Sequence, residues 1–502
     1  MRFPRSCGTL LHPTSLPGRW GMGDFGREAH QFLDFLRESG QTIWQVLPLS
    51  PVSYGNSPYY AYSAFAGNEY LINPEKLQGQ GLLTHRELEE AELPEQTRAD
   101  FDQAYLNRDR LYRKASERFY GDMDREAEAE LERFRDVNRQ WLDDYTLYRV
   151  LLRHRDGAPW NRWEQPLVQR QAGAMERVRR EHEAEIRHET WLQFEFYRQW
   201  LDLKRYANRH GIRIVGDLPI FVAHNSADVW AHPEYFTVNR EGDRELVSGV
   251  PPDYFSESGQ LWGNPLYRWD RLRDRGYDWW VERFRQMFLL YDAIRVDHFR
   301  GFEAYWEVDA REKTAINGRW VKGPASDFFR VIERELGRLP IIAEDLGLIT
   351  PEVEALRDEF NFPGMKILQF AFDNDPENSF LPHNYIPECV VYSGTHDNDT
   401  TAGWYRSAPE EVRHQLRVYL RSHCSDPAEE LIRLGVLSVA DQAIFPLQDY
   451  MSLDSEFRMN RPGTAEGNWE WRFTREMLDA IDTGTLRDLL RMANRTPHSP
   501  AL

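Results

Sequence analysis

Apolar and polar positions follow two periods along this chain, and the two take turns. Short runs rich in β-branched and aromatic residues occur at 8–11, 42–48, 212–218, 291–297, 341–345, 365–370, 389–393 and 443–447. Between them lie stretches with helical spacing, such as 27–39 and 189–210. In the latter, Trp191, Phe194, Tyr197, Leu201 and Leu203 recur at roughly helical intervals. Strands alternating with helices predict a parallel sheet, and eight of them predict an α/β fold of the (β/α)8, or TIM, barrel type.

One interval breaks the rhythm. The second and third runs are separated by far more chain than one crossover helix needs, and much of 75–187 is charged and helix-forming, as in 125–135 and 175–187. This predicts a helical insertion subdomain over 75–190, carried on a single catalytic barrel that takes up residues 1–502. No repeat, low-complexity tract or Pro/Ser-rich linker divides the chain.

The strand ends carry the candidate chemistry. Runs end in Gly216-Asp217, Arg295-Val296-Asp297-His298, Ala343-Glu344-Asp345 and Thr395-His396-Asp397. In such a barrel the active site lies at the C-terminal ends of the strands, where these acids fall. Side chains alternate faces along a strand, so Ala293, Arg295 and Asp297 project together while Ile294 and Val296 face away. A guanidinium beside Asp297 should lower its pKa and keep it ionised, while burial and neighbouring carboxylates should raise that of Glu344. A retaining glycosidase needs that combination, with the carboxyls about 5–5.5 Å apart. Taken singly, a strand-end acid can be a solvated loop residue or a helix cap, and Asp345 could cap a helix beginning just after Glu344.

Composition narrows the partners. With 62 basic and 81 acidic residues the net charge is −19, which argues against a nucleic-acid partner. There are 17 Trp, 23 Tyr and 27 Phe; most must serve the core, and the remainder can supply flat platforms for sugar rings. The three cysteines, Cys7, Cys389 and Cys424, are far apart and lack zinc-like spacing, so free thiols in a reducing compartment are expected. The first residues lack a signal-peptide apolar stretch, and no run approaches a membrane span. The expectation is a cytoplasmic protein away from the membrane, as a monomer or weak dimer.

Two other chemistries fit fragments of the sequence. Gly21-Met22-Gly23-Asp24-Phe25-Gly26 matches GxGxxG, but a dinucleotide site also wants an acid at the tip of the next strand, which reads Gln45-Val46-Leu47-Pro48-Leu49. A Gly-rich loop is the better reading. Asp217, Asp297, His298, Glu344, His396 and Asp397 offer enough donors for a metal centre. Arg295 would share the barrel mouth with that ion, however, and neither an HExxH nor a His-x-His pair occurs. No metal and no cofactor are expected.

The strand-end segments resemble the four short conserved regions of the α-amylase superfamily. They extend to Gly216-Asp217 through His224-Asn225 and Trp230, Arg295 to His298, Glu344-Asp345-Leu346-Gly347, and His396-Asp397. Their wording is similar to the amylomaltases or disproportionating enzymes, the 4-α-glucanotransferases of glycoside hydrolase family 77. The likeness runs over essentially the whole chain, from Gly8–Pro17 and Ser57-Pro58-Tyr59 through 249–265 to Pro446–Asp449 and Gly467-Asn468-Trp469.

The resemblance implies transfer of α-1,4-glucan segments between maltooligosaccharides by retaining double displacement. It implies Asp297 as nucleophile, Glu344 as general acid/base and Asp397 as transition-state stabiliser, flanked by Arg295 and His396. Tyr59, Asp217 and His298 would line the subsite of the attacked ring. The segment 249–264, with Pro251, Pro252, Tyr254, Phe255 and Trp262, is read as a loop serving as lid and acceptor platform, and Asn264 at its end joins Tyr254 and Trp262 as a substrate-contact candidate. The alternatives are an α-1,4-glucan hydrolase and a non-catalytic glucan-binding protein.

Overall fold

The computed structural model describes residues 3–252, 256–464 and 466–496. In chain order its strands are β1 (Ser6–Leu10), β2 (Ile43–Gln45), β3 (Arg213–Pro219), β4 (Leu246–Val250), β5 (Gln260–Pro265), β6 (Ala293–Asp297), β7 (Ala304–Asp309), β8 (Gly318–Lys322), β9 (Ile341–Ala343), β10 (Gly364–Ile367), β11 (Cys389–Tyr392) and β12 (Gln442–Pro446). The eight expected strands are all present, and they pair in parallel in the order β10-β11-β12-β1-β2-β3-β6-β9. Across the remaining seam, the Ala343 N–H donates to the Pro363 carbonyl at 2.9 Å, which brings β9 against β10 and closes the sheet into a barrel. Ile294, Val296, Ile342 and Val391 are fully buried. Such strands have an apolar neighbour on both faces, so they read as continuous hydrophobic runs.

Helices flank the barrel. Arg27–Glu38 follows β1, and Glu183–Arg209 leads into β3. Between β2 and β3 also lie the helices Phe101–Gly121, Arg125–Arg153 and Ala172–Glu181. The helix expected across 175–187 is interrupted at His182, whose φ of −120° and ψ of 28° leave the helical region. Most of that run is charged, so its pattern carries no signal for the break.

A second sheet was not foreseen. β4 pairs antiparallel with β5 and β7, and β7 with β8, giving the order β5-β4-β7-β8. The segment 249–264 is therefore largely a hairpin rather than a loop. Its strands escape a pattern search because they are short and partly exposed, with only Val247, Val308 and Ala315 as a small core of their own. Asp253, Tyr254 and Phe255 lie outside the described residues. The segment 21–26 is a packed loop: buried Asp24 pairs with Arg108 at 3.0 Å and accepts from the Gly26 N–H, and a Cβ on Gly23 would lie 2.1 Å from the Pro13 carbonyl oxygen.

Candidate active site

The barrel register assembles the site. Asp217 on β3 is the direct neighbour of Arg295 on β6, and Arg295 in turn neighbours Ile342, two residues before Glu344. Neighbouring residues in parallel strands share a face, so Asp217 and Arg295 both point inward. Arg295 is only 4% exposed and reaches three carboxylates: Asp217 at 2.7 Å, Asp297 at 3.0 Å and Glu344 at 3.7 Å. Asp297 and Glu344 contact the same guanidinium nitrogen, which suits the roughly 5–5.5 Å spacing of a retaining carboxyl pair. The chain turns sharply after β6, with His298 in the left-handed region at φ 50° and ψ 49°. That turn aims the His298 N–H at Glu344 Oε2. A non-glycine residue held there costs on the order of 1–3 kcal/mol, which the surrounding contacts must offset.

Aromatic residues wall one side. Tyr59, from the segment after β2, donates to Asp217 Oδ2 at 2.6 Å, and its ring stacks on His396 at 5.0 Å and 14°. Trp469 lies 6.1 Å from Tyr59 and 6.0 Å from His396. On the hairpin, Trp262 of β5 meets the His298 ring edge-to-face at 4.8 Å. Asp397 sits 3.5 Å from His396 Nε2.

Electrostatics makes the acids unequal to isolated carboxylates. Burial pushes Asp297 well above the usual range; Arg295 opposes this, but Glu344, Asp217 and Asp397 add to the burial. Arg295 does lower Asp297 as expected, but the net expectation of a low pKa is corrected, because burial outweighs the guanidinium and the neighbouring carboxylates add to it. Burial also raises Glu344, against Arg295 and the His298 N–H. Burial lowers His396 and takes His298 to about 3, so both rings are neutral near pH 7. Burial and then Asp217 raise Tyr59, which keeps its hydroxyl as a donor. Asp217 Oδ1 and His298 Nε2 are buried with no hydrogen-bond partner among the described residues. Buried polar atoms are normally paired, so these two stand out within the site.

A family model for 4-α-glucanotransferases matches residues 11–478. The chain is 47% identical to the 4-α-glucanotransferase of Synechocystis sp. over 98% of each chain, and 48% identical to that of Thermus thermophilus over 99% of this chain and all of the other. The solved amylomaltase from Streptococcus agalactiae in complex with acarbose superposes with a TM-score of 0.95 at 36% identity, covering 98% of this chain and all of that one. The chain belongs to the 4-α-glucanotransferase family.

Within this 4-α-glucanotransferase framework, the structure brings together Tyr59, Asp217, Arg295, Asp297, His298, Glu344, His396, Asp397 and Trp262. Asn264 stands apart: it is buried, donates to the Val222 carbonyl at 3.0 Å and lies 3.5 Å from Ser248 Oγ, anchoring the hairpin. Tyr254 lies outside the described residues. Asp345 does not cap a helix; it pairs with Arg357 at 2.6 Å and accepts the Met365 N–H at 2.7 Å, while Thr350 precedes the next helix. Sequence reasoning missed Asn460, which donates to Asp397 Oδ1 at 2.6 Å, and Arg458, which donates to the Asp397 carbonyl at 2.5 Å. The one available signal was their place after β12, the last strand whose C-terminal loop faces the site.

Proposed function

We propose that this protein is a 4-α-glucanotransferase that moves α-1,4-glucan segments from a donor to an acceptor maltooligosaccharide by double displacement, with Asp297 as nucleophile and Glu344 as general acid/base. The observation that carries the residue assignment is the contact of Arg295 with Asp217, Asp297 and Glu344 together. Relatives at 47–48% identity over nearly the full length, both named 4-α-glucanotransferase, support the activity.

In the first half-reaction an Asp297 oxygen attacks the anomeric carbon. The glycosidic C–O bond breaks as Glu344 gives its proton to the departing 4-oxygen, leaving a glycosyl ester on Asp297. In the second, Glu344 takes the proton of an acceptor 4-hydroxyl as that oxygen displaces Asp297. Arg295 stabilises the charge on Asp297 as it leaves. Asp397, held by Asn460 and Arg458, binds ring hydroxyls more strongly in the flattened, oxocarbenium-like state than in the ground state. Tyr59 offers a ring face to the sugar, and Asp217 Oδ1 and His298 Nε2 offer hydrogen bonds.

Transfer instead of hydrolysis requires a well-bound acceptor and restricted water. The β4–β5 hairpin supplies the wall for this: Trp262 contacts His298, and the Tyr60 hydroxyl fixes its carbonyl at 2.8 Å. Asn264 acts by anchoring the hairpin, and Tyr254 is assigned to the acceptor side.

The helical segment 75–190 is, on this reading, an insertion on one catalytic barrel spanning the chain. The described helices include none long and apolar enough to cross a membrane. A cytoplasmic enzyme, working as a monomer or weak dimer, fits this reading. Incubation with maltotriose alone tests it: glucose plus oligomers longer than maltotriose are expected, whereas glucose and maltose alone would mean hydrolysis and no change would mean binding.

A further inference from the structure

Among the helices between β2 and β3, three side chains converge where three helix ends meet. His154 is the C-cap of Arg125–Arg153; His182 is the C-cap of Ala172–Glu181 and the residue before Glu183–Arg209; Glu185 lies in the first turn of that last helix. His154 Nε2 lies 2.9 and 2.8 Å from the two Glu185 oxygens, and His182 Nδ1 lies 3.0 Å from Oε1. The two imidazole centroids are 4.2 Å apart. Among the described residues this is the one group of at least three His, Cys, Asp or Glu donors gathered closely enough to hold a metal ion, with all three ligand atoms within 4.8 Å of one another.

We propose that His154, His182 and Glu185 form a binding site for a divalent transition-metal ion of the zinc class, which pins these helix ends together. Two ring nitrogens and a carboxylate gathered this closely can hydrogen-bond through the ring N–H groups or hold a metal ion in place of those protons. Imidazole and carboxylate together suit Zn²⁺, Ni²⁺, Co²⁺ or Cu²⁺ better than Mg²⁺ or Ca²⁺. Two such nitrogens and one carboxylate leave at least one coordination position to water, the arrangement of an open site.

The backbone favours a cation at the same place. The carbonyl ends of two helices, at His154 and His182, carry partial negative charge toward it. The amino end of the third helix favours an ionised Glu185. The side chains are 42%, 24% and 31% exposed for His154, His182 and Glu185, so an ion can enter from solvent without unfolding the helices.

The site lies outside the catalytic cluster, so its occupancy governs the helical segment and not the chemistry. Metal bound only by the folded protein raises Tm as its concentration rises. The full-length protein, stripped with EDTA and dialysed, is titrated with Zn²⁺ by calorimetry and with Co²⁺ by visible absorption. One ion per chain is expected, with d–d bands characteristic of low-coordinate cobalt. His182→Ala and Glu185→Gln should each weaken binding by about tenfold or more, on the scale seen when a metal site loses a supporting group. Glu185→Gln keeps the size of the side chain, so it remains informative if His182→Ala folds poorly. Absence of stoichiometric binding, or equal binding by wild type and Glu185→Gln, would overturn the proposal and leave the three side chains as a hydrogen-bonded cluster.

Discussion

Asp217 on β3 and Arg295 on β6 are direct neighbours across the barrel sheet, joined at 2.7 Å, and both side chains are almost completely buried. This pair is the base on which the site stands. Arg295 has its remaining nitrogen free for Asp297 and Glu344 because Asp217 holds the other. Breaking a buried ion pair from one side typically costs about 3–5 kcal/mol.

Asp217→Asn keeps the shape but removes one negative charge and weakens the hold on Arg295 and Tyr59. We expect kcat/KM for maltotriose to fall about 100-fold or more, roughly the loss of one preorganised charged contact. Tm measured alongside should drop modestly; wild-type kcat/KM would contradict the role.

Glu344→Gln removes the only proposed proton donor for the leaving oxygen. General acid–base groups contribute about 10²–10⁴-fold, so turnover of maltotriose should fall by that factor. Near-normal turnover would refute the assignment.

The raised pKa of Asp297 makes a stability prediction opposite in sign to its catalytic one. Because the folded value lies above the unfolded one, the ionised group is disfavoured by folding. Its cost is absent below the ordinary Asp range, grows as pH rises, and is complete above the raised folded value. Asp297→Asn should therefore be inactive yet melt a few °C higher at neutral pH, and the gain should vanish near pH 3. Thermal melts from pH 3 to 8 check this, and a variant less stable than wild type at pH 7 would sink it.

Trp262→Ala opens the hairpin wall beside His298. The ratio of hydrolysis to transfer, read from reducing ends against longer oligomers, should rise. An unchanged ratio would count against the acceptor-platform role.

Asn460→Ala frees the Asp397 carboxylate from its 2.6 Å contact. We expect kcat to fall about tenfold, about 1.4 kcal/mol of transition-state stabilisation, with KM changed much less. Loss expressed only in KM would instead place Asn460 in ground-state binding.

The eight barrel strands were legible because each is a short apolar run buried on both faces, and the acids at their ends were legible because chain order places them just after those runs. The β4–β5 hairpin was not, since its strands are partly exposed and its core of Val247, Val308 and Ala315 draws on three separated segments. Asn460 and Arg458 gave no local signal either: they are ordinary polar residues until the chain returns them to Asp397, more than sixty positions away. The break at His182, and with it the meeting of His154, His182 and Glu185, was hidden in a mostly charged stretch.

By itself, the order of apolar runs determined a parallel barrel, and strand alternation put Arg295 and Asp297 on one face, because both depend on backbone periodicity within a few residues. Only the tertiary structure decided how charge is shared. Barrel closure sets one guanidinium against three carboxylates in a desolvated pocket, so Asp297 is raised where its sequence neighbour alone would lower it. Coulombic energy depends on distance and burial through space, and neither is written in the spacing of residues along a chain.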